Sequence, residues 1–598
     1  MRKIFTTLLC TAAIGSGAMA QYDIDWAKTR NLQRPVTFEK SKETRVERRK
    51  VEQTALTATG VVYTAGQATE DFDFANNTIG TLGGGSSYLL KYAADGTEAW
   101  GAEILGASYV TQVTATTDEG VIVAGRFAGE IDIKGTDGNK QTLTKKEYTD
   151  KHPFAFVARY DKDGKVVWAK AFETALLAGE DTPVFGINNL KVEGEKVVFT
   201  GYFDGKVTVD GKEYSTTQYD VWGIIFYANF SSYTAIANLE TGEVEKFLPV
   251  NAKGGRTNRA EGVAVEMDNA GNTYVANLIQ GEALIPDTDH TISTELDDTG
   301  ASFEFAKNIY VVKYDNAGAV VWTKNYSTEL IKTEKYEQNI FSVSDMQLNA
   351  DQKLVLTGNY SGNLPLTDEV KLTANGDDIT KADNYLMILS ETNGDLVKAV
   401  SFGSVEGEGA PALAIGEDRM FIAGEYEGDM KFNSRTISSK GASDIFVASF
   451  ENDGTPVIAL SMGTTEADYF TSFAGINDKT VAVSGIYKGT LAIENTEVAS
   501  TGDTYDSFVL KMQNASDFPT STTEEVNNAQ KPLFFPNPAK SQIQVKNADK
   551  ISIYSIAGTL VYTSNQPSTV DVSQLKAGMY LVNLHKGNDV TSVKLIKK

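Results

Sequence analysis

Thiols, imidazoles and rigid turns are scarce in this chain. Of its 598 residues 1 is Cys, 3 are His and 13 are Pro. The lone Cys10 lies in an amino-terminal segment of signal-peptide form. Arg2 and Lys3 precede the apolar stretch "IFTTLLCTAAIGSG", and Ala18-Met19-Ala20 offers a small-residue cleavage site before Gln21. A lipid-acylated Cys10 would need small residues just ahead of it, and they are missing, so cleavage after Ala20 is expected. The mature chain then has no cysteine, which excludes disulfides, a thiol nucleophile and thiolate metal ligation. His152 and His290 fall in different repeats and His585 near the carboxyl end, so no histidine metal cluster can be built. A Ser-His-Asp relay also lacks an oriented base. After the leader, no apolar run approaches the roughly 18 residues that span a bilayer. Positive charge is short too. Lys and Arg number 55 against 79 Asp and Glu, a formal net of -24, which argues against nucleic acid and anionic membranes as partners.

What the chain has is a repeat. "VIVAGRFAG" (Val121 to Gly129) recurs as "VVFTGYFDG" (197–205), "LVLTGNYSG" (354–362), "MFIAGEYEG" (420–428) and "VAVSGIYKG" (481–489), with weaker copies "VVYTAGQ" (61–67) and "TYVANLIQG" (273–281). A strand patterned this way bends, or is closely approached, at its glycines. A second apolar strand follows each copy and ends in an Asp, Asn and Gly turn, as in "FVARYDKDG" and "YVVKYDNAG". A third strand, such as "KVVWAKAF" or "AVVWTKNY", comes next, and an apolar segment precedes every copy. One unit is thus four short antiparallel strands in about 60 to 80 residues. The expected fold is all-β: a seven-bladed β-propeller over residues 56–516.

Trp100, Trp168 and Trp322 end equivalent turns, "YAADGTEAW", "YDKDGKVVW" and "YDNAGAVVW", and are expected to pack one blade on the next. The seventh unit lacks a tryptophan strand. "DIDWAKTRN" (Asp23 to Asn31) matches it through Trp26-Ala27-Lys28, so residues 21–55 are expected to supply the outer strand that closes the ring. The units loosely resemble the bacterial β-propeller repeat family, with "SDIFVASFENDG" and "YDSFVLKMQ" nearest its pattern. That resemblance implies a fold and no activity.

Residues 517–530 read as a polar linker, and the charge changes sign beyond it. From Ala529 to Lys598 there are nine Lys, three Asp and no Glu. Alternating short strands there indicate a small Ig-like β-sandwich over 531–598. Pro536-Asn537-Pro538, "IYSIAGTLVY" with Gly558, and "LKAGMYLV" with Gly578 and Tyr580 closely resemble the type A C-terminal sorting domain of the Bacteroidetes type IX secretion system. The resemblance implies an encounter with that secretion machinery and export through the periplasm to the cell surface or medium.

No motif for catalysis appears. Carboxylates are abundant, so a glycosidase pair in the propeller funnel stays open as an alternative. "TLGGGSS" (81–87) lacks the lysine of a phosphate loop. No cofactor is expected. Calcium is possible at the acid-rich "IPDTDHTISTELDD" (285–298), although the full calcium-loop pattern is absent. The third unit carries an aromatic insertion, 213–230, whose Tyr214, Tyr219, Trp222 and Tyr227 are candidates for stacking on a sugar or anchoring a protein. Long loops at about 134–154, 210–232, 282–307 and 364–384 would form a recognition face. The expected function is a secreted or surface-attached, non-enzymatic protein binding a glycan or protein ligand. An extracellular polysaccharide hydrolase and a structural or adhesive surface protein are the alternatives.

Overall fold

The computed structural model describes residues 22–31, 52–514 and 533–598, apart from 69, 82–84, 145–153, 173, 175–183, 210, 222–223, 228–229, 254–257, 295–306, 330–339, 377, 433–434, 479, 494–495, 501–504, 536–538, 547, 556–559, 566, 577 and 587–588. The described residues are all-β, with antiparallel sheets and no helix. The chain divides into two compact units, 1–516 and 517–598.

In the first unit the same four-strand meander recurs. Sheet 1 runs Gln53–Leu56, Val62–Ala68, Ser86–Tyr92 and Glu98–Leu105. Sheet 2 runs Ser108–Ala115, Val121–Phe127, Phe154–Tyr160 and Val166–Phe172. Sheet 3 runs Val184–Glu193, Lys196–Asp204, Ser231–Asn238 and Val244–Ala252, and sheet 4 Arg259–Met267, Thr273–Gln280, Lys307–Tyr314 and Val320–Ser327. Sheet 5 runs Phe341–Leu348, Lys353–Tyr360, Asp383–Ser390 and Leu396–Phe402, and sheet 6 Ala412–Ile415, Arg419–Tyr426, Asp444–Glu451 and Pro456–Gly463. Sheet 7 takes three strands from Tyr469–Gly475, Thr480–Tyr487 and Asp506–Asn514. Its fourth is Tyr22–Asn31, antiparallel to the third with Ala27 opposite Leu510 and Thr29 opposite Phe508.

The first strand of each sheet lies beside the first strand of the next, and that of sheet 7 lies beside that of sheet 1. Buried apolar clusters fall between sheets, each drawing on two consecutive ones. Tyr274, Ile309 and Trp322 of sheet 4 meet Phe341, Leu356 and Tyr385 of sheet 5, for example. Trp26 and Val509 of sheet 7 meet Leu56, Val62 and Tyr92 of sheet 1. A lone four-stranded sheet leaves both faces wet; stacking on two neighbours buries both.

The repeated turn and tryptophan explain each other. The Nε1 of Trp100, in sheet 1, donates to the Lys162 carbonyl in the turn of sheet 2 at 3.0 Å. Trp168 reaches Leu239 O of sheet 3 (2.8 Å), Trp322 reaches Glu391 O of sheet 5 (2.9 Å), and Trp26 reaches Ala94 O of sheet 1 (3.0 Å). The ring lies flat on the turn glycine. A Cβ on Gly96 would come within 2.7 Å of the Trp26 ring, and one on Gly394 within 2.7 Å of Trp322. These glycines also have positive φ, +81° at Gly96 and +73° at Gly394, so the tight turn and the stacked indole both require the missing side chain. Within the repeat strand, the first glycine serves close approach: a methyl on Gly201 or Gly358 would overlap the carbonyl of Gly186 or Ser342, at the bulge of the first strand.

Short hairpins between the second and third strands overlap the four segments read as long loops: Glu130–Lys134 with Lys140–Thr144, Lys206–Val209 with Lys212–Ser215, Glu282–Leu284 with Thr291–Ser293, and Asn363–Pro365 with Lys371–Thr373. The first and third of these also pair with the fourth strand of the preceding sheet, as at Asp132↔Leu105 and Asn251↔Leu284. Alternation such as "EIDIKGTDGNKQTLT" is too short to stand out from turn residues in a sequence, but pairing to an existing edge is enough to hold it.

The second unit has a three-stranded sheet (Leu533–Phe535, Gln542–Lys546, Thr569–Asp571) and a four-stranded one (Leu560–Asn565, Lys550–Ser555, Gly578–Lys586, Asp589–Lys597). Ile543, Val545 and Val570 of one share a core with Ile551, Ile553, Val582, Leu584 and Leu595 of the other.

Candidate functional site

The first strands surround a cavity of about 1090 Å³. Its polar lining is largely committed to joining neighbouring sheets. Gln112 Nε2 donates to Asn188 O (2.8 Å), Asn188 Nδ2 to Gly262 O (2.8 Å), and Gln347 Nε2 to Leu413 O (2.6 Å). Lys191 of sheet 3 pairs with Asp345 of sheet 5 at 3.2 Å, and Asp345 also accepts Leu413 N of sheet 6. Burial pulls the Lys191 ammonium down, but Asp345 and Glu266 outweigh it and hold its pKa above the ordinary value. Burial pushes Glu266 up to about 7, with Lys191 opposing.

The cavity wall on sheets 5 to 7 differs. Lys381, Glu406, Glu408, Glu425 and Glu427 line it, beside Pro411, Tyr426 and Phe470. Glu408 is 8% exposed. Its Oε1 accepts the Ser404 N–H at 2.6 Å, while Oε2 is buried with no hydrogen-bond partner. Asp383, 1% exposed, stands beside it and accepts the Asn375 backbone N–H (2.9 Å) and side-chain amide (2.8 Å), both on Oδ2. Burial, reinforced by Asp383, pushes Glu408 up to about 9. Burial pushes Asp383 up to about 6 against the Asn375 hydrogen bonds.

Sequence reasoning missed this pair, although a signal exists. "SFGSVEGE" (Ser401 to Glu408) and "SMGTTEAD" (Ser461 to Asp468) are two copies of one connector, each ending in an acid. In the second copy Asp468 accepts Thr464 N (2.6 Å) and Thr464 Oγ1 (3.1 Å), and faces Asp444 as Glu408 faces Asp383.

The residues singled out from the sequence lie elsewhere. Tyr214 is half-buried in its hairpin, its ring centroid 4.7 Å from that of Phe247. Tyr219 and Tyr227 sit on the facing strands Gln218–Val221 and Ile224–Tyr227, an extra hairpin of sheet 3. Trp222 lies outside the described residues, as do Pro536, Asn537, Pro538 and Gly558. Gly578 opens a strand of the second unit, and Tyr580 OH donates to Lys576 O at 3.0 Å. In the acid-rich segment Asp287 and Asp289 are exposed at a hairpin tip, and 295–298 lie outside the described residues.

No curated protein matches the chain. Among solved structures it is similar to the quinohemoprotein alcohol dehydrogenase of Comamonas testosteroni (11% identity, 86% of this chain and 79% of that one, TM-score 0.32) and to hydrazine synthase of Kuenenia stuttgartiensis (10%, 78% and 98%, 0.34). A protein of unknown function from Dyadobacter fermentans is similar at 8% identity over 67% of this chain and 93% of that one (0.31). Likeness at this level carries no activity across. The carboxyl-terminal unit is different: residues 533–598 match the family described as the secretion system C-terminal sorting domain, which marks this chain for export through type IX secretion to the cell surface or the extracellular space.

Proposed function

We propose that residues 22–514 form a seven-bladed β-propeller closed by its own amino-terminal strand, and that 533–598 form a small Ig-like sandwich read by the type IX machinery. Residues 1–20 act as the signal peptide for the first membrane. Outside the cell the propeller is a non-enzymatic recognition protein for a glycan or protein ligand. The observation that carries this reading is the cavity wall on sheets 5 to 7. There the half-buried ring of Phe470 adjoins the carboxylates of Glu406, Glu425 and Glu427 at a concave opening. Such a wall suits a neutral glycan or a basic protein segment better than a polyanion. The aromatic insertion 213–230, with Tyr219, Trp222 and Tyr227, is a second candidate contact. A hydrolase would need two carboxylates reaching one substrate. The enclosure of Asp383 and the pairing of Asp345 with Lys191 favour binding over that alternative.

The test is binding of the purified mature chain to a panel of polysaccharides, mucins and basic proteins. Saturable binding weakened about tenfold by Phe470→Ala, a loss typical of an aromatic anchor, supports the cavity wall. Loss in Trp222→Ala alone moves the site to the insertion. No binding by folded, monodisperse protein overturns the recognition reading in favour of a structural surface role.

A further inference from the structure

Three junctions between sheets place an acid at the start of a first strand, facing the third strand of the preceding sheet, and the fold treats the three acids differently. Between sheets 7 and 1, Glu52 is neutralised by Arg30 at 2.9 Å and accepts Tyr88 OH at 2.9 Å. Between sheets 6 and 7, both oxygens of Asp468 accept hydrogen bonds from Thr464, and Asp444 opposite accepts Lys440 N, Gly441 N and Ser461 Oγ. Between sheets 5 and 6 the account does not close. Among the described residues no Lys or Arg pairs with Asp383 or Glu408. Lys381, the nearby cation on the cavity wall, faces Glu406 instead, at 3.7 Å. Glu408 Oε2 has no partner, and the hydrogen bonds to Asp383 all fall on Oδ2.

The two free oxygens converge. An ideal Cβ on Gly403 would lie 2.5 Å from Glu408 Oε2 and 2.6 Å from Asp383 Oδ1, so they flank the volume that glycine leaves open. A buried carboxylate pair without a counter-charge is costly, and the repeat shows that this fold elsewhere supplies one or saturates the oxygens. We propose that Asp383 and Glu408 form a binding site for a hard divalent cation, Ca²⁺, at the junction of the fifth and sixth blades. Both donors are carboxylate oxygens, the set Ca²⁺ prefers, and water from the adjoining cavity, which Glu408 lines, would complete the six to eight ligands. Two carboxylates place the affinity in the weak class of extracellular modules, about 10⁻⁴–10⁻³ M, suited to a protein that works outside the cell. The site is distinct from the acid-rich hairpin at 285–294, whose carboxylates are exposed. It does not depend on what the channel recognises. Bound Ca²⁺ would tie the connector of the sixth blade to the third strand of the fifth.

The experiment is Ca²⁺ binding by the full mature chain at pH 7.5 after chelator treatment, counted by equilibrium dialysis with Ca²⁺ alone. Other acidic surfaces add a background, so the readout is a difference between variants. Glu408→Gln, which keeps size and removes charge, is expected to bind one equivalent fewer than wild type. Asp468→Asn is expected to keep the wild-type count. Gly403→Ala places a methyl between the two oxygens and is expected to lose the same equivalent, which decides the matter if the glutamine variant fails to fold. In melting, millimolar Ca²⁺ is expected to raise Tm of wild type by about 2 °C or more and leave Glu408→Gln unmoved. Equal counts for wild type and both site variants overturn the proposal and leave the pair sharing a proton.

Discussion

Removing residues 21–30 is the sharpest perturbation of the ring. The deletion strips sheet 7 of its fourth strand and exposes Phe508 and Leu510, which are 1% and 0% exposed in the intact protein. Trp26, 6% exposed, is lost from its seat on Gly96, with its hydrogen bond to Ala94 O. Truncating a buried tryptophan alone costs about 3–5 kcal/mol. Loss of Arg30 leaves Glu52 buried without its cation, a change worth about 3–5 kcal/mol where both groups are enclosed. Against a typical total of about 5–15 kcal/mol, the two effects together consume most of the stability. The deletion is therefore expected to leave the body unfolded or aggregation-prone at 37 °C. Trp26→Ala should keep the fold and lower Tm by roughly 5 °C, given how little a large domain's Tm moves per kcal/mol. The assay is thermal melting by circular dichroism with limited proteolysis of the mature chain. A deletion variant melting within about 1 °C of wild type would refute the closure and the packing argument together.

Gly96→Ala and Gly138→Ala separate two roles of glycine. Both positions have positive φ, +81° and +80°, but a methyl at 96 meets the Trp26 ring at 2.7 Å while one at 138 meets nothing within 4 Å. Chemical denaturation should show about 1 kcal/mol lost at 138 and about 2–4 kcal/mol at 96. Lys191→Met leaves Asp345 without its partner across the channel. A loss of about 2–3 kcal/mol is expected after allowing for partial solvent access, with recovery on adding Asp345→Asn, which removes the charge and keeps an acceptor for Leu413 N. Without calcium, stability should fall as pH rises. Folded Glu408 keeps its proton up to about 9, whereas the unfolded side chain releases it near 4.5, so the native state holds more protons throughout that window. The negative slope between those values should be shallower in Glu408→Gln, measured by urea midpoints at several pH values. Deleting 533–598 should abolish export, read by fractionation of cells and medium.

Much of the body was legible because its signals are local and repeated. The Gly-aromatic-Gly strand, the Asp-Gly turn and the tryptophan each recur at one position of one unit, so periodicity exposes them even where single copies are weak. Trp26-Ala27-Lys28 was readable for the same reason: it copies Trp168-Ala169-Lys170. The pairing of tryptophan with the next sheet's turn was not, because the indole and the carbonyl it bonds sit 62 to 71 residues apart and no local pattern links them. The hairpins between second and third strands were hidden by brevity. The Asp383 and Glu408 pair was hidden by composition: among 79 acids, nothing in residue type marks the two that burial leaves without partners.

The order of the chain has a consequence for how this protein reaches its folded state. The strand that completes sheet 7 is made first, but its partner, Asp506–Asn514, is made almost last. Until residue 514 exists, Trp26 has neither sheet 7 to pair with nor a completed interface with sheet 1, and residues 22–31 stay an unpaired edge. Every apolar cluster in the body joins two consecutive sheets, so incomplete rings leave an open face at both ends of the array. The sorting domain begins at residue 533, after all of this sequence. A chain truncated before Asp506 therefore lacks both the closing partner and the export signal, and the species that carries the signal is the one able to close its ring.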